Sequence, residues 1–149
     1  MKIETLKGIG KIHINSELPD GDGIRDTNDF LRATVRNFAK QAAKYMNTLT
    51  EAPFIYSEKQ LHSVLAPAFS QFTEAFLMEA PVKRKWSAVE DLSYGDSYGW
   101  LDYWCYYRKL EYFIEIKHGF ISVRTGKIKE FNKETWIEAN RQLDVVEGG

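Results

Sequence analysis

From Thr27 to Leu49 apolar residues recur at spacings of three and four. Phe30, Leu31, Val35, Phe38, Ala39, Ala42, Tyr45, Met46 and Leu49 fall on one stripe, which predicts an amphipathic helix. Thr27 suits the N-cap, and Asp29 suits the positive end of the helix dipole. A second helix is predicted after Ser57, because Ser57-Glu58-Lys59-Gln60 has the form of a capping box. Leu61, Val64, Leu65, Ala68, Phe69, Phe72 and Phe76 continue its apolar stripe. Pro67 is expected to kink or restart this helix and Pro81 to end it.

The period then changes. Trp86–Leu92 reads as a strand, followed by a glycine-containing loop over Tyr94–Gly99. Leu101–Tyr107 and Glu111–Lys117 are rich in aromatic and β-branched residues and read as two further strands. Only Arg108-Lys109-Leu110 lies between them, so they are expected to form an antiparallel hairpin. Phe120–Val123 extends the last strand beyond Gly119, and Thr125-Gly126-Lys127 is a turn. Asn132 is expected to cap a final helix in which Trp136, Ile137, Asn140 and Leu143 share a face.

Ahead of all this, Gly8, Gly10, Pro19, Gly21 and Gly23 punctuate a loop-rich N-terminal arm over residues 1–26, with one short strand. Asp20-Gly21-Asp22-Gly23 reads as a turn, since it lacks the rest of a calcium loop. The expected organisation is a single α+β domain over 1–149. The arm leads to a helical part at 27–80, then to the sheet and C-terminal helix at 84–149. The helices would pack on a small mixed or antiparallel sheet with a central hairpin.

Composition narrows the classes. With 149 residues, 44% of them hydrophobic and 28% charged, the chain is one domain's worth and has enough apolar side chain for a core. No apolar run is long enough to span a bilayer, so no membrane partner is expected. Met1-Lys2-Ile3-Glu4 opens no secretory apolar region, and the single cysteine, Cys105, has no internal disulfide partner. A cytoplasmic location is the expectation. A net charge of −1 and a pI near 6.3 argue against a strongly basic nucleic-acid binder. Local basic features remain. Arg32, Arg36, Lys40 and Lys44 form a ridge at steps of four, and Lys83-Arg84-Lys85 a short run. Each reads as a solvated face or as a phosphate contact.

Aromatics are 14% of the chain, and nine of them crowd into positions 94–113. One sheet face would pack on the helices. The other would stack bases, meet a partner, including a second copy of the chain in a homo-oligomer, or be covered by the N-terminal arm.

The sharpest candidate chemistry lies in the hairpin. Side chains alternate along a strand, so Phe113, Glu115 and Lys117 share a face. A two-residue turn sets Asp102 opposite Glu115, and a four-residue turn sets it opposite Lys117. Either register puts Asp102, Glu115 and Lys117 on one face. Neighbouring carboxylates repel, and a divalent cation relieves the repulsion. Lys117 would orient water and offset transition-state charge. The structural alternative is a cross-strand ion pair. His13, His62 and His118 show no metal-binding spacing.

Gly99-Trp100-Leu101-Asp102-Tyr103-Trp104 and Tyr112-Phe113-Ile114-Glu115-Ile116-Lys117 resemble the signature of the PD-(D/E)XK, or restriction-endonuclease-like, nuclease superfamily. Glu115-Ile116-Lys117 is the only Asp/Glu-x-Lys tripeptide in the chain, and Leu101 stands where the family name has proline. The likeness covers about residues 57–145, and the family core goes on to a fourth strand. It implies a hydrolase that uses Mg2+ or Mn2+ to cleave DNA or RNA. Asp102, Glu115 and the carbonyl of Ile116 would then be metal ligands and Lys117 the catalytic lysine. Some members add a glutamate on the helix before the first strand, for which Glu58 is the first candidate and Glu74 the second. The competing class is a non-catalytic protein-interaction module on the same fold.

Overall fold

The strand expected at Trp86–Leu92 lies outside the residues described by the computed structural model, which are 2–15, 21–84, 97–119 and 130–144. The extension at Phe120–Val123 and the turn at Thr125–Lys127 lie outside them too. The described elements, in chain order, are β1 (Lys2–Leu6), β2 (Gly10–Ile14), α1 (Ile24–Leu49), α2 (Glu58–Phe69), β3 (Ala75–Arg84), β4 (Ser97–Tyr107), β5 (Leu110–Ile114) and α3 (Glu130–Asp144). The fold is α+β, with a two-stranded sheet of β1 and β2 and a three-stranded antiparallel sheet in the order β3-β4-β5.

Residues 2–14 of the N-terminal arm form a hairpin of two strands, where one short strand is expected. β1 and β2 pair antiparallel with Glu4 opposite Ile12, and the turn between them has Gly8 at φ 75°, a conformation that favours glycine. The alternation that marks a strand is obscured because Ile3 is exposed, while Glu4 points inward to the guanidinium of Arg36. Helix α1 begins at Ile24, earlier than Thr27, with Gly23 in left-handed geometry at its cap.

The capping box at Ser57 forms, and the main-chain N–H of Ser57 donates to Oε1 of Gln60 at 2.9 Å. α2 runs on through Pro67 to Phe69, so Pro67 does not restart it; it sits near the helix end. Proline has no N–H to offer the carbonyl four residues back, at Ser63, and the hydroxyl of Tyr45 donates to that carbonyl at 3.1 Å.

The chain then becomes a strand, so the helical part does not reach residue 80. β3 contains Ala80 and Val82, both buried, and Pro81, which is exposed. It is an edge strand in the described sheet, where proline costs no ladder hydrogen bond. Helix α3 starts at Glu130, so Asn132 lies inside it rather than capping it. Among its described side chains Ala139 is buried, and Trp136 and Ile137 are exposed.

The chain forms two compact units. One comprises residues 1–76 and 105–111, and the other 77–104 and 112–149. The first has a core of rings. Phe30 lies 6.0 Å from Phe69, 5.5 Å from Phe72 and 5.8 Å from Tyr107, measured between ring centroids. Val64, Leu65, Ala68 and Cys105 are buried in the same unit. Burial pushes the Cys105 thiol up to about 12, which leaves it protonated and unreactive at neutral pH. In the second unit Ala80, Val82, Leu101, Tyr103 and Ala139 are buried. Among the described residues no helix is long and apolar enough to cross a membrane.

Candidate active site

The β4–β5 hairpin turns through two residues, Arg108 and Lys109, at φ 51° and 65°. Positive φ at both positions is the type I′ pattern, whose twist matches that of paired strands. This selects the two-residue register from the two open to the sequence. Trp104 and Phe113, directly opposite in that register, stack with ring centroids 6.0 Å apart and planes at 23°. Asp102, two residues before Trp104, meets the chain beyond the end of β5 at Ile114, where its carboxylate contacts Ile116.

β4 divides its side chains between two environments. Leu101, Tyr103 and Cys105 are completely buried. Trp100, Trp104 and Tyr106 are exposed, the two tryptophans by 65% and 40%. Asp102 belongs to this second set by strand alternation, so the candidate carboxylate lies on the open face with an exposed tryptophan on either side.

Two contacts in the second unit involve the candidate residues. Oδ2 of Asp102 accepts the main-chain N–H of Ile116 at 2.5 Å, just past the end of β5. Nζ of Lys117 donates to Oε1 of Glu115 at 2.5 Å. Glu115 keeps only 7% of its side chain exposed and Lys117 22%, so this ion pair is largely removed from water. The aspartate is thereby fixed against the middle of the Glu115-Ile116-Lys117 tripeptide.

Glu138 on α3 is an addition that strand spacing did not flag. The hydrogen bond from Arg141 holds its carboxyl below the usual carboxylate range, and the positive charge of Lys117 acts in the same direction. Spacing along α3 carries the Glu138–Arg141 pair, but only the fold brings the charge of Lys117 to bear on it.

Glu58 and Glu74 belong to the first unit. Glu58 occupies the first turn of α2, where negative charge suits the helix dipole. Glu74 lies beyond the end of α2, not on it, and its carboxylate accepts the main-chain N–H of Arg108 at 3.1 and 3.2 Å. Its role is to anchor the hairpin turn.

Two carboxylates and one main-chain carbonyl make a hard, all-oxygen donor set, which suits magnesium or manganese. Among the described residues no three His, Cys, Asp or Glu side chains converge as a metal cluster. The oxygens that could hold a cation here are those of Asp102, Glu115 and the Ile116 carbonyl. No family model matches this chain, and comparison with curated proteins and with solved structures finds no match either.

Proposed function

We propose that this protein is a metal-dependent nuclease with a restriction-endonuclease-like fold, which hydrolyses phosphodiester bonds in DNA or RNA. The observation that carries the reading is the hydrogen bond from the Ile116 N–H to Asp102, which seats the aspartate against the one Glu-x-Lys tripeptide of the chain. Asp102, Glu115 and the Ile116 carbonyl would hold Mg2+ or Mn2+, which supplies Lewis acidity to the phosphoryl group when bound. Lys117 supplies a positive charge oriented by Glu115, to offset the negative charge that grows on the phosphoryl oxygens. Trp100 and Trp104 offer flat exposed surfaces beside Asp102 on which bases can stack.

The test is cleavage of single- and double-stranded DNA and RNA in Mg2+ or Mn2+. Wild type is expected to cleave at least one substrate. Asp102→Asn and Lys117→Ala are expected to lose cleavage while keeping the native circular-dichroism spectrum. Failure of wild type both to bind Mg2+ or Mn2+ by calorimetry and to cleave any substrate overturns the reading.

A second reading is a non-catalytic interaction module. The closed Glu115–Lys117 pair favours it, as do the exposed tryptophans, which suit a protein partner or a second copy of the chain. Metal binding separates the two, because the module predicts none at Asp102. A monomer by light scattering at all accessible concentrations counts against self-association.

A further inference from the structure

A second site lies within the first unit. Asp29, Arg32, Ala33 and Arg36 of α1, with Tyr107 and Arg108 from the hairpin tip, line a cleft of about 230 Å3. That volume is below the roughly 300–1,000 Å3 of pockets for drug-sized ligands, so it suits a small group. Its lining carries three guanidiniums against the single carboxylate of Asp29.

Clustered positive charges repel, and nearby carboxylates hold these in place. Glu4 of β1 accepts from Nε and Nη2 of Arg36 at 2.7 and 2.9 Å. Asp26 and Asp29 both accept from Nη1 of Arg108, at 3.1 and 2.7 Å, and the Arg108 guanidinium lies 5.0 Å from the centre of the Tyr107 ring. Glu4 and Asp26 are outside the lining.

These pairs use only part of each guanidinium fork. Nη2 of Arg32 stands 3.6 Å from Glu4, too far for a hydrogen bond, and its Nε is buried without a hydrogen-bond partner. Among the described residues no hydrogen bond commits the Arg32 guanidinium, so its outer N–H donors are free for an anion in the cleft.

We propose that this cleft binds a phosphate monoester group. Its oxygens match the paired donors of arginine, which lysine does not offer, and three arginines line the cleft. The ion pairs hold Arg36 and Arg108 in place before the ligand arrives, so little ordering remains at binding. Inorganic phosphate, a mononucleotide and the 5′-phosphate of an oligonucleotide all present this chemistry. The site stands apart from the nuclease reading, because none of its residues belongs to Asp102, Glu115 or Lys117.

The experiment is calorimetric and thermal-shift titration of the full chain at constant ionic strength. The probes are inorganic phosphate, adenosine monophosphate, and one oligonucleotide with and without a 5′-phosphate. Wild type is expected to bind at least one phosphate-bearing probe and to melt at a higher temperature in its presence. Arg32→Gln is expected to weaken that affinity about tenfold or more. Lys44→Gln, on α1 outside the lining, is expected to leave it unchanged. Should Arg32→Gln fold poorly, Arg32→Lys carries the test and is expected to bind more weakly than wild type. Preference for the 5′-phosphorylated oligonucleotide over its hydroxyl twin assigns the ligand to a polymer end, and preference for the small probes assigns it to a free phosphate. The proposal is overturned if no phosphate probe binds wild type above a chloride control. Undiminished binding in the Arg32 variant that folds overturns it equally.

Discussion

Asp102 accepts the main-chain N–H of Ile116 at the point where the β4–β5 ladder has already ended, at Ile114. The side chain thus does the work of a missing strand partner. Asp102→Ala is expected to cost about 1.5–3 kcal/mol, the range for a hydrogen bond to a charged group. Asp102→Asn keeps an acceptor oxygen and should cost less. Urea denaturation of the two variants reads the difference; equal losses would show that the hydrogen bond carries no stability.

Glu115 and Lys117 form an ion pair that is mostly shielded from water. Lys117→Met leaves the carboxylate without its partner and is expected to destabilise by about 1–3 kcal/mol, less than a fully buried pair would lose, because the lysine keeps some exposure. Adding Glu115→Gln should recover part of that loss. A double-mutant cycle measures the coupling, and strict additivity would refute it.

Tyr45 takes over the carbonyl that Pro67 leaves unpaired in α2. Tyr45→Phe is expected to cost about 0.5–1 kcal/mol. In a Pro67→Ala background the helix supplies its own N–H, so the same substitution should cost close to nothing. Thermal denaturation of the four proteins tests this, and an equal cost in both backgrounds would contradict it.

Glu4 ties β1 to α1, and the hydrogen bond from Arg36 holds its carboxyl below the ordinary glutamate value, with Arg32 adding to the effect. A carboxyl more acidic in the folded than in the unfolded chain contributes stability that is fully present above its unfolded pKa. That contribution is lost as the pH falls through the folded value. Stability should therefore drop on acidification below the usual carboxylate range, and Glu4→Gln should flatten that part of the profile. Denaturation midpoints between neutral pH and pH 3 would show it; a profile unchanged by Glu4→Gln would not fit this account.

The β4–β5 hairpin is legible in the sequence because its strands are aromatic and β-branched and the gap between them is short. Alternation alone then places Asp102 beside the Glu115-Ile116-Lys117 tripeptide. The capping box at Ser57 is legible for a similar reason, since its partners are three residues apart. β3 is not, because Ala75–Val82 is built largely from good helix formers, and Phe72 and Phe76 continue the helical spacing of α2. Tertiary pairing decides that segment, beginning with the N–H of Glu74 donating to the carbonyl of Tyr106. The first hairpin is hidden by an inward glutamate, which reads as polar until Arg36 is known to meet it. The arginine cleft is half visible: steps of four bring out Arg32 and Arg36, but Arg108 joins them from a distant part of the chain.

The first unit is assembled from residues 1–76 and 105–111, and Tyr107 from the second of these segments is one of the rings around Phe30 and Phe72. No single cut in the chain releases that unit whole. As the protein is synthesised, helices α1 and α2 emerge long before the hairpin tip that completes their core. Arg108 must then close on Asp26 across 82 residues. Domains otherwise tend to fold in order from the N-terminus, at about 5–20 residues made per second. Here the ring of Tyr107 can join Phe30 and Phe72 only after the hairpin tip has been made.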